Sequence, residues 1–313
     1  MKILGISGGT PNGNNDAICK EALMGAAECG AEVEFIRLLD LDLKHCTGCA
    51  ACMRSLNAGQ GGGCPIQDDF EWLRDKILDA DGVVFSMPVF EKGAAGVFHT
   101  ILDRFGPRHD RGTNLTGKRI AEERGGTPPD PRVLKDKAVA FLGMGGTDYT
   151  SRFQCDCAML ASHLMWSVVE NRVYQWTKLF AMEDEKVAHA HETGVRLAKA
   201  AADPTHGTYY GDPGMCPHCH SRNFYLNDAA DKAICCLCGI EGRLEIQNGR
   251  LRFLFDKEQL ERASDTLEGK LRHAEDIKHN QAVRREQMKT EAFRQRQQRY
   301  LTFIHPTTPA SGR

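Results

Sequence analysis

A chain of 313 residues is long enough for one sizeable domain and a smaller one, and its 41% hydrophobic content is ordinary for a folded protein. The formal net charge of −2 at pH 7 gives no overall attraction to nucleic acids or acidic membranes. No apolar run approaches the roughly 20 residues that cross a bilayer, and the chain opens on a strand rather than a signal segment. We therefore expect a cytoplasmic protein with no membrane partner.

The first predicted elements are an apolar strand at 2–6, a polar loop and a helix. The loop runs from Ser7 to Asp16, and an apolar helical face begins at Ile18. A strand, a tight loop and a helix start present backbone N–H groups and a positive helix end to a phosphate. Because the loop has neither GxxxxGK[ST] nor GxGxxG, it favours one phosphomonoester, such as that of FMN. The alternative is an ordinary turn that needs Gly and Asn for positive φ.

Strands and helices alternate through the next 180 residues. Further strands are predicted at 32–38, 81–86, 138–142 and near Val173, with helices from Asp68, up to Arg104 and at 183–202. Residues 106–131 show no clear period and are predicted to be an excursion over the surface. This alternation predicts an α/β fold with a doubly wound, five-stranded parallel sheet. The loops after strands one, three and four therefore converge on one crevice at the carboxyl edge.

Thirteen cysteines in a cytoplasmic protein do not indicate a disulfide framework, and eight of them fall into two tight groups. The first group is Cys46, Cys49, Cys52 and Cys64. C-x2-C-x2-C with a remote fourth cysteine is a spacing that can supply a [4Fe–4S] cluster. Thiols used for packing or substrate contact, a zinc site and redox disulfide chemistry remain open alternatives.

The second group is Cys216, Cys219, Cys235 and Cys238. Two C-x2-C knuckles separated by a hairpin's length match tetrahedral Zn²⁺ bound by four thiolates. Short strands are predicted at 224–226 and 244–255. The pattern resembles a zinc ribbon and, more distantly, rubredoxin, whose similar knuckles hold one iron. We expect structural zinc, with iron as the alternative.

Residues 256–301 are polar with a thin apolar stripe, which predicts a long amphipathic helical arm. Such a helix is not stable by propensity alone, so it is expected to dock on its own chain or on a partner subunit. Its end is basic, but no aromatic ladder accompanies the charges, so we interpret it as an oligomerisation helix rather than a nucleic-acid contact. Residues 302–313 are predicted to be a flexible tail.

Three motifs in order resemble the flavodoxin-like NADPH-dependent FMN reductases. They are the Ser7–Asp16 loop, the segment 86–90 followed by 102–104, and the cysteine-rich run at 46–52 with Cys64, which resembles the iron-sulfur flavoproteins of the same family. The resemblance covers roughly the first 200 residues. It implies a flavodoxin-like fold, bound FMN, NAD(P)H as co-substrate, and a homodimer or homotetramer. The predicted domains are then 1–205, with a cysteine-rich loop at 45–66 and an insertion at 106–135, and the zinc ribbon at 206–255.

The resemblance also assigns roles by position. The residues that it places near the phosphate are Ser7, Thr10, Asn12, Gly13, Asn14 and Asn15. Along the isoalloxazine ring it places two further groups: Pro88, Val89 and Phe90 on one side, and Gly145, Gly146 and Thr147 on the other. The sequence departs from the family at Gly9-Thr10, where a basic phosphate contact is often found, and at Glu91-Lys92, after the second loop.

The sequence favours an FMN-dependent NAD(P)H oxidoreductase that reduces a small organic acceptor: a quinone, a flavin, or an aromatic or enone-like compound. The flavin N5 would carry the chemistry. No protein acid or base stands out; Tyr149 and His99 are the nearest candidates. One alternative is an iron-sulfur flavoprotein that transfers electrons between a ferredoxin-like carrier and a partner enzyme. Another is a non-enzymatic interaction protein that senses redox state.

Overall fold

The computed structural model describes residues 1–203 and 214–307. Its main sheet contains five parallel strands and one short antiparallel strand. They are β1 (Lys2–Ser7), β2 (Glu32–Arg37), β3 (Gly82–Phe90), the antiparallel β4 (Gly93–Ala94), β5 (Ala138–Met144) and β6 (Ser167–Tyr174). The strand order is β2-β1-β3-β5-β6, with β4 paired to β3. This order reverses direction beside β1, as a doubly wound sheet requires, and confirms the predicted flavodoxin-like fold.

Seven helices of the described residues precede position 203. They are α1 (Asn14–Glu28), α2 (Ala51–Asn57), α3 (Phe70–Asp79), α4 (Gly96–His109), α5 (Arg111–Arg124), α6 (Phe153–Leu164) and α7 (Asp184–Ala202). Successive strand residues point to opposite faces, so Val83 and Phe85 pack with α3, α4 and α6, whereas Val84 packs with α1 and α7. Both faces of the sheet are therefore covered, which explains its nearly continuous apolar strands.

Helices α1 and α7 approach each other closely because glycines face the contact. A Cβ on Gly25 would lie 2.1 Å from the carbonyl oxygen of His191, and one on Gly194 would lie 1.7 Å from that of Ala22. No side chain larger than hydrogen fits at either position. This tight packing fixes the second half of α1 against α7.

The expectation of an irregular surface excursion at 106–131 was wrong, since α5 occupies most of it. Asp110 accepts a hydrogen bond from the Thr113 N–H, and Gly125 ends the helix in the left-handed conformation. The helix lacks a strong apolar period because glycine makes one of its main contacts. A Cβ on Gly117 would lie 3.1 Å from Leu56 of α2. Helix packing against a small residue leaves little trace in hydrophobic periodicity.

The second sheet is antiparallel and carries the second cysteine group. Its strands are β7 (Phe224–Leu226), β8 (Ala233–Cys235), β9 (Glu241–Gln247) and β10 (Arg250–Leu254). They are ordered β10-β9-β8-β7, and Phe253 and Ile240 fill a small core around the buried thiols. The Asn223 side chain donates to the Ser151 carbonyl oxygen at 3.0 Å, which ties this module to the residues just before α6.

The C-terminal arm contains α8 (Leu267–Met288) and α9 (Glu291–Phe303). Thr290 has an extended conformation and its side chain caps α9 by accepting from the Phe293 N–H, so the helical region is divided there. The chain separates into two compact units, Met1–Leu271 and a second that begins at Arg272. The predicted boundary between 205 and 206 and the tail residues 308–313 lie outside the described residues. None of the described helices has the length and hydropathy needed to cross a bilayer.

Candidate active site and metal centre

The first loop, residues 7–16, is stabilised by hydrogen bonds among its own residues. Ser7 ends β1 fully buried; its hydroxyl donates to Asp16 at 2.7 Å and accepts the Gly9 N–H at 3.2 Å. Thr10 and Asn12 are exposed, and Asn12 has a φ of 57°, the left-handed conformation that asparagine tolerates. No side chain caps the start of α1 at Gly13. The backbone N–H groups of the first helical turn are thus available to an anion.

Asn14 and Asn15 connect this loop to other parts of the sheet edge. The Asn14 side chain accepts the Phe180 N–H and donates to the Lys178 carbonyl oxygen, both at 3.1 Å. Asn15 is buried and accepts from the Ser86 hydroxyl at 3.3 Å. The two amides therefore join the first loop to the segment after β6 and to β3.

A partly buried ion pair that sequence reasoning missed supports the same loop. The Arg37 guanidinium, at the end of β2, contacts the Asp16 carboxylate at 2.6 Å, and the Asn12 N–H donates to the same carboxylate at 2.9 Å. Burial alone would raise the pKa of Asp16, but hydrogen bonds from Arg37, Ser7 and Asn12 lower it below its ordinary value. Asp16 is therefore a carboxylate, neutralised by Arg37, and it fixes the loop.

The second loop is a rigid hairpin. Val89 and Phe90 pair with Ala94 and Gly93, and the two turn residues, Glu91 and Lys92, both have positive φ. Two left-handed residues at the centre of a two-residue turn match the twist of a hairpin. Phe90 is 64% exposed on this hairpin.

The start of α6 holds the hairpin in place. The buried carboxylate of Asp156 accepts the Ala94 N–H at 3.1 Å, and the Arg152 N–H donates to the Lys92 carbonyl oxygen at 2.9 Å. His99 lies 3.5 Å from Asp156. Because Asp156 already serves the hairpin, His99 is placed beside a structural carboxylate rather than in an isolated acid–base pair.

The third loop completes the crevice. A Cβ on Gly145 would lie 3.9 Å from Val89, and a Cβ on Gly8 would lie 3.5 Å from Pro88, so the loops after β1, β3 and β5 meet. A Cβ on Gly146 would meet no atom within 4 Å. Thr147 accepts the Tyr149 N–H, and Tyr149 is 71% exposed. The structure thus brings the predicted residues of all three loops to one edge, as the strand pattern indicated.

The segment after β6 also belongs to this edge, which the sequence analysis did not foresee. The Gly145 N–H donates to the Tyr174 carbonyl oxygen at 3.0 Å, and the Thr177 N–H donates to the Gly145 carbonyl oxygen at 3.2 Å. With the Asn14 contacts to Lys178 and Phe180, the segment links the first and third loops. The one sign of this link in the fold is that β6 is the neighbour of β5, so the segments that follow the two strands begin side by side.

The edge fits FMN on two structural grounds. The uncapped start of α1 provides donors for one phosphate, and the three loops that meet at this edge expose aromatic and amide side chains, among them Phe90, Tyr149 and Asn12. A planar ring system can occupy such a crevice. When bound, FMN accepts a hydride from a nicotinamide and delivers two electrons to an acceptor.

The first cysteine group lies on a surface loop around α2. Cys46 and Cys49 are exposed, whereas Cys52 and Cys64 are partly buried. The Cys64 sulfur lies 3.7 Å from the Arg104 guanidinium, which also binds Asp68. The Ala51 N–H, followed by the Thr47 hydroxyl, lowers the pKa of Cys49. Among the described residues, these sulfurs do not form a group within the distances of a single-metal site.

The second cysteine group forms such a site. The four sulfurs of Cys216, Cys219, Cys235 and Cys238 all lie within 4.8 Å of one another. Three of the residues are buried and Cys219 is partly buried, while the spare thiol Cys236 is exposed. Four converging thiols on two knuckles fit one tetrahedral metal ion.

Comparison with known proteins agrees with this geometry. The family model "NADPH-dependent FMN reductase" matches residues 1–176. A solved structure of a flavone reductase is 54% identical, covers 99% of this chain and 100% of its own, and superposes with a TM-score of 0.89. A flavone synthase of Aspergillus candidus is 26% identical over 275 residues, 82% of this chain and 83% of that protein.

An iron-sulfur flavoprotein of Methanocaldococcus jannaschii is 39% identical over 108 residues, 34% of this chain and 53% of that protein. Its match is local, whereas the flavone reductase matches along the whole chain, including the second cysteine group. The family model covers more than half of the residues, and the loops after β1, β3 and β5 meet at one edge of the sheet. The chain belongs to the NADPH-dependent FMN reductase family and is an FMN oxidoreductase.

Proposed function

We propose that this chain uses FMN and NAD(P)H to reduce the ring double bond of flavones or closely similar planar aromatic enones. The observation that carries this proposal is the 54% identity with a flavone reductase over 99% of the chain. Three exposed aromatic side chains at the crevice, Phe90, Tyr149 and Trp176, support an aromatic acceptor. Quinones and free flavins are the competing acceptors.

In this proposal the first loop holds the FMN phosphate. The exposed Thr10 and Asn12, with Gly13 and the N-terminal turn of α1, contact the phosphate directly. Ser7, Asn14 and Asn15 support them from behind through the hydrogen bonds described above. Pro88, Val89 and Phe90 lie on one side of the isoalloxazine, and Gly145, Gly146 and Thr147 lie on the other.

The reduction balances with one hydride and one proton. A hydride adds to the carbon β to the acceptor's carbonyl, and a proton adds to the α carbon, so the double bond becomes single and NAD(P)H is oxidised. The buried carboxylates Asp16 and Asp156 accept hydrogen bonds from the first loop and the hairpin, while Tyr149 is exposed and His99 lies beside Asp156, so none of them is assigned as the proton donor. We therefore assign the proton to solvent at the open face.

An anaerobic reaction with NADPH and flavone tests the proposal. We expect flavanone as the product, identified by chromatography and mass spectrometry. Nicotinamide deuterated at C4 should place one deuterium at the β carbon, and reaction in D₂O should place one at the α carbon. Reduction of menadione or free FMN without any reduction of flavone would contradict the proposal.

A second candidate is the iron-sulfur flavoprotein function, favoured by the local similarity to those proteins and by the four cysteines at 46–64. Cys46 and Cys64 are both close enough to Cys52 to raise the pKa of its thiol, after the larger effect of burial, so at least three of the four thiols lie near one another. Assay of iron and acid-labile sulfide decides between the two. About four irons and four sulfides per chain would favour the second candidate.

We also propose that the second cysteine group holds one Zn²⁺ with a structural role. Four thiolates and a small surrounding core fit a closed structural site. One zinc and no iron per chain is the expected result. The expected homodimer or homotetramer is likewise a proposal, which light scattering coupled to gel filtration tests directly.

A further inference from the structure

Trp176 follows β6 at once and has an unusual backbone conformation. Its φ is 56°, in the left-handed region that large side chains rarely adopt. Its side chain is 61% exposed. A large non-glycine residue in this conformation is strained and persists where the surrounding structure holds it. Both the strain and the exposed indole require an explanation.

The residues on either side of Trp176 are clamped. The Gln175 side chain donates to the Thr150 hydroxyl at 2.7 Å. The Thr177 hydroxyl donates to the Tyr174 carbonyl oxygen at 3.0 Å. Lys186 donates to the Gln175 carbonyl oxygen at 2.9 Å and to the Thr177 hydroxyl at 3.0 Å. These bonds fix the backbone at Trp176 without using its indole.

The fold of the segment does not depend on the indole either. Phe180 provides the apolar anchor: it is 1% exposed and its ring lies 6.0 Å from that of Tyr174. A tryptophan that leaves most of its large apolar surface in water gains little from burial. The packing of the segment therefore leaves the indole available to contact a bound molecule.

The segment lies between the first and third loops. Thr177 bonds to Gly145 on one side, and Lys178 and Phe180 bond to Asn14 on the other. Phe90 and Tyr149 are the exposed aromatic residues of the neighbouring loops. The backbone of Trp176 thus lies in the segment that connects two loops of the crevice and is held from both sides.

We propose that Trp176 is a specificity-determining residue whose indole forms the stacking platform for a planar, fused-ring aromatic acceptor. The inference rests on the proposed reduction of flavone-like enones and names the residue that selects them over small, non-aromatic enones. Aromatic rings stack favourably at centroid distances of about 4.5–7 Å, and a platform that is already rigid loses little entropy on binding.

The test compares Trp176→Ala, Trp176→Gly and Trp176→Tyr with the wild-type, FMN-loaded enzyme. Two acceptors are used, flavone and 2-cyclohexen-1-one. In Trp176→Ala we expect the KM for flavone to rise roughly tenfold, with kcat within about twofold, while values for 2-cyclohexen-1-one stay within about twofold. Trp176→Tyr should retain most of the affinity.

Trp176→Gly separates the indole from the backbone, because glycine adopts positive φ without strain. It should lose flavone affinity as Trp176→Ala does. Binding of flavone to the oxidised, FMN-loaded protein, measured by calorimetry, should weaken by the same factor without turnover. Trp72→Ala, which removes a tryptophan 47% exposed on α3, is the matched control and should bind flavone as the wild type does.

Wild-type flavone affinity in Trp176→Ala overturns this inference alone. Three other results would also overturn it. Trp176→Gly could bind flavone as the wild type does, Trp176→Ala could lose activity equally with both acceptors, or Trp176→Ala could change its oligomeric state. If the wild-type enzyme reduces 2-cyclohexen-1-one but not flavone, the proposed function and this inference both fail.

Discussion

Asp16 and Arg37 form an ion pair that supports the candidate phosphate loop, with 2.6 Å between Oδ2 and Nη2. The Asp16 side chain is 1% exposed and that of Arg37 is 15% exposed. A carboxylate in the first turn of α1 would repel a phosphate unless its charge were balanced. Arg37 supplies that balance, which accounts for a phosphate loop without a basic residue of its own.

Replacing Arg37 by glutamine should therefore destabilise both the fold and the cofactor complex. The change leaves the buried Asp16 carboxylate uncompensated, so we expect a loss of unfolding free energy larger than that from breaking an exposed ion pair, together with weaker retention of FMN. Denaturant unfolding and FMN titration measure the two effects. The pKa of Asp16 is lowered in the fold, so the pair stabilises above the ordinary carboxyl pKa and its contribution is lost as the pH falls below it.

Two further variants make this test specific. Asp40→Asn removes the other carboxylate that Arg37 contacts, which is 55% exposed, and should cost less than about 1 kcal/mol. Asp16→Asn combined with Arg37→Gln should be more stable than Arg37→Gln alone. Equal stability of the single and double variants would show that the buried charge is not the cause.

Asn14→Asp places a negative charge at the start of α1 and removes the donor to the Lys178 carbonyl oxygen. We expect FMN affinity to fall at least tenfold through repulsion of the phosphate. Asn14→Ala loses both side-chain hydrogen bonds, including the one from the Phe180 N–H that aspartate can still accept, but it adds no charge and should retain more FMN. Flavin fluorescence titration compares them, and unchanged FMN affinity in Asn14→Asp would show that the phosphate binds elsewhere.

Cys235→Ser should remove the metal from the second cysteine group, whereas Cys236→Ser should not. Cys235 is one of the four converging thiols, and Cys236 is the exposed spare next to it. Metal content should fall from about one ion per chain to near zero in the first variant only. Loss of metal in both variants, or in neither, would contradict the assigned ligand set.

Lys137 gives a prediction for pH. It is fully buried, its ammonium donates to the carbonyl oxygens of Leu78 and Ala80, and burial lowers its pKa to about 8. Between this pKa and the ordinary lysine value near 10.5, the unfolded chain binds more protons, so stability rises with pH. Relative to Lys137→Met, the wild type should gain about 2 kcal/mol between pH 8 and 10. Parallel pH profiles of the two proteins would contradict the shifted pKa.

The sheet and its crevice could be predicted because they depend on local patterns. Strands buried on both faces, such as 82–86, are nearly all apolar, and the loops that follow parallel strands must share an edge. The four thiols of the second cysteine group could also be predicted, because the C-x2-C spacing fixes the geometry of each pair within a few residues. In each case the determining information lies close together in the chain.

The remaining features depend on distant partners. Asn14 has the composition of a phosphate ligand, yet its amide bonds to residues 164 and 166 positions away. Arg37 gives no sign in the sequence that it neutralises Asp16. Hydrophobic periodicity does not reveal helix α5, because a glycine, Gly117, makes its contact with Leu56. Such relationships exist only once the chain has folded, so no local pattern reveals them.

The hydrogen bond from Asn223 to Ser151 has a consequence for how the enzyme depends on its surroundings. Ser151 precedes Arg152, whose N–H holds the hairpin that carries Phe90. The module proposed to bind a metal is thereby connected to the hairpin at the candidate flavin site. We expect a cell short of that metal to lose reductase activity even when FMN and NAD(P)H are abundant.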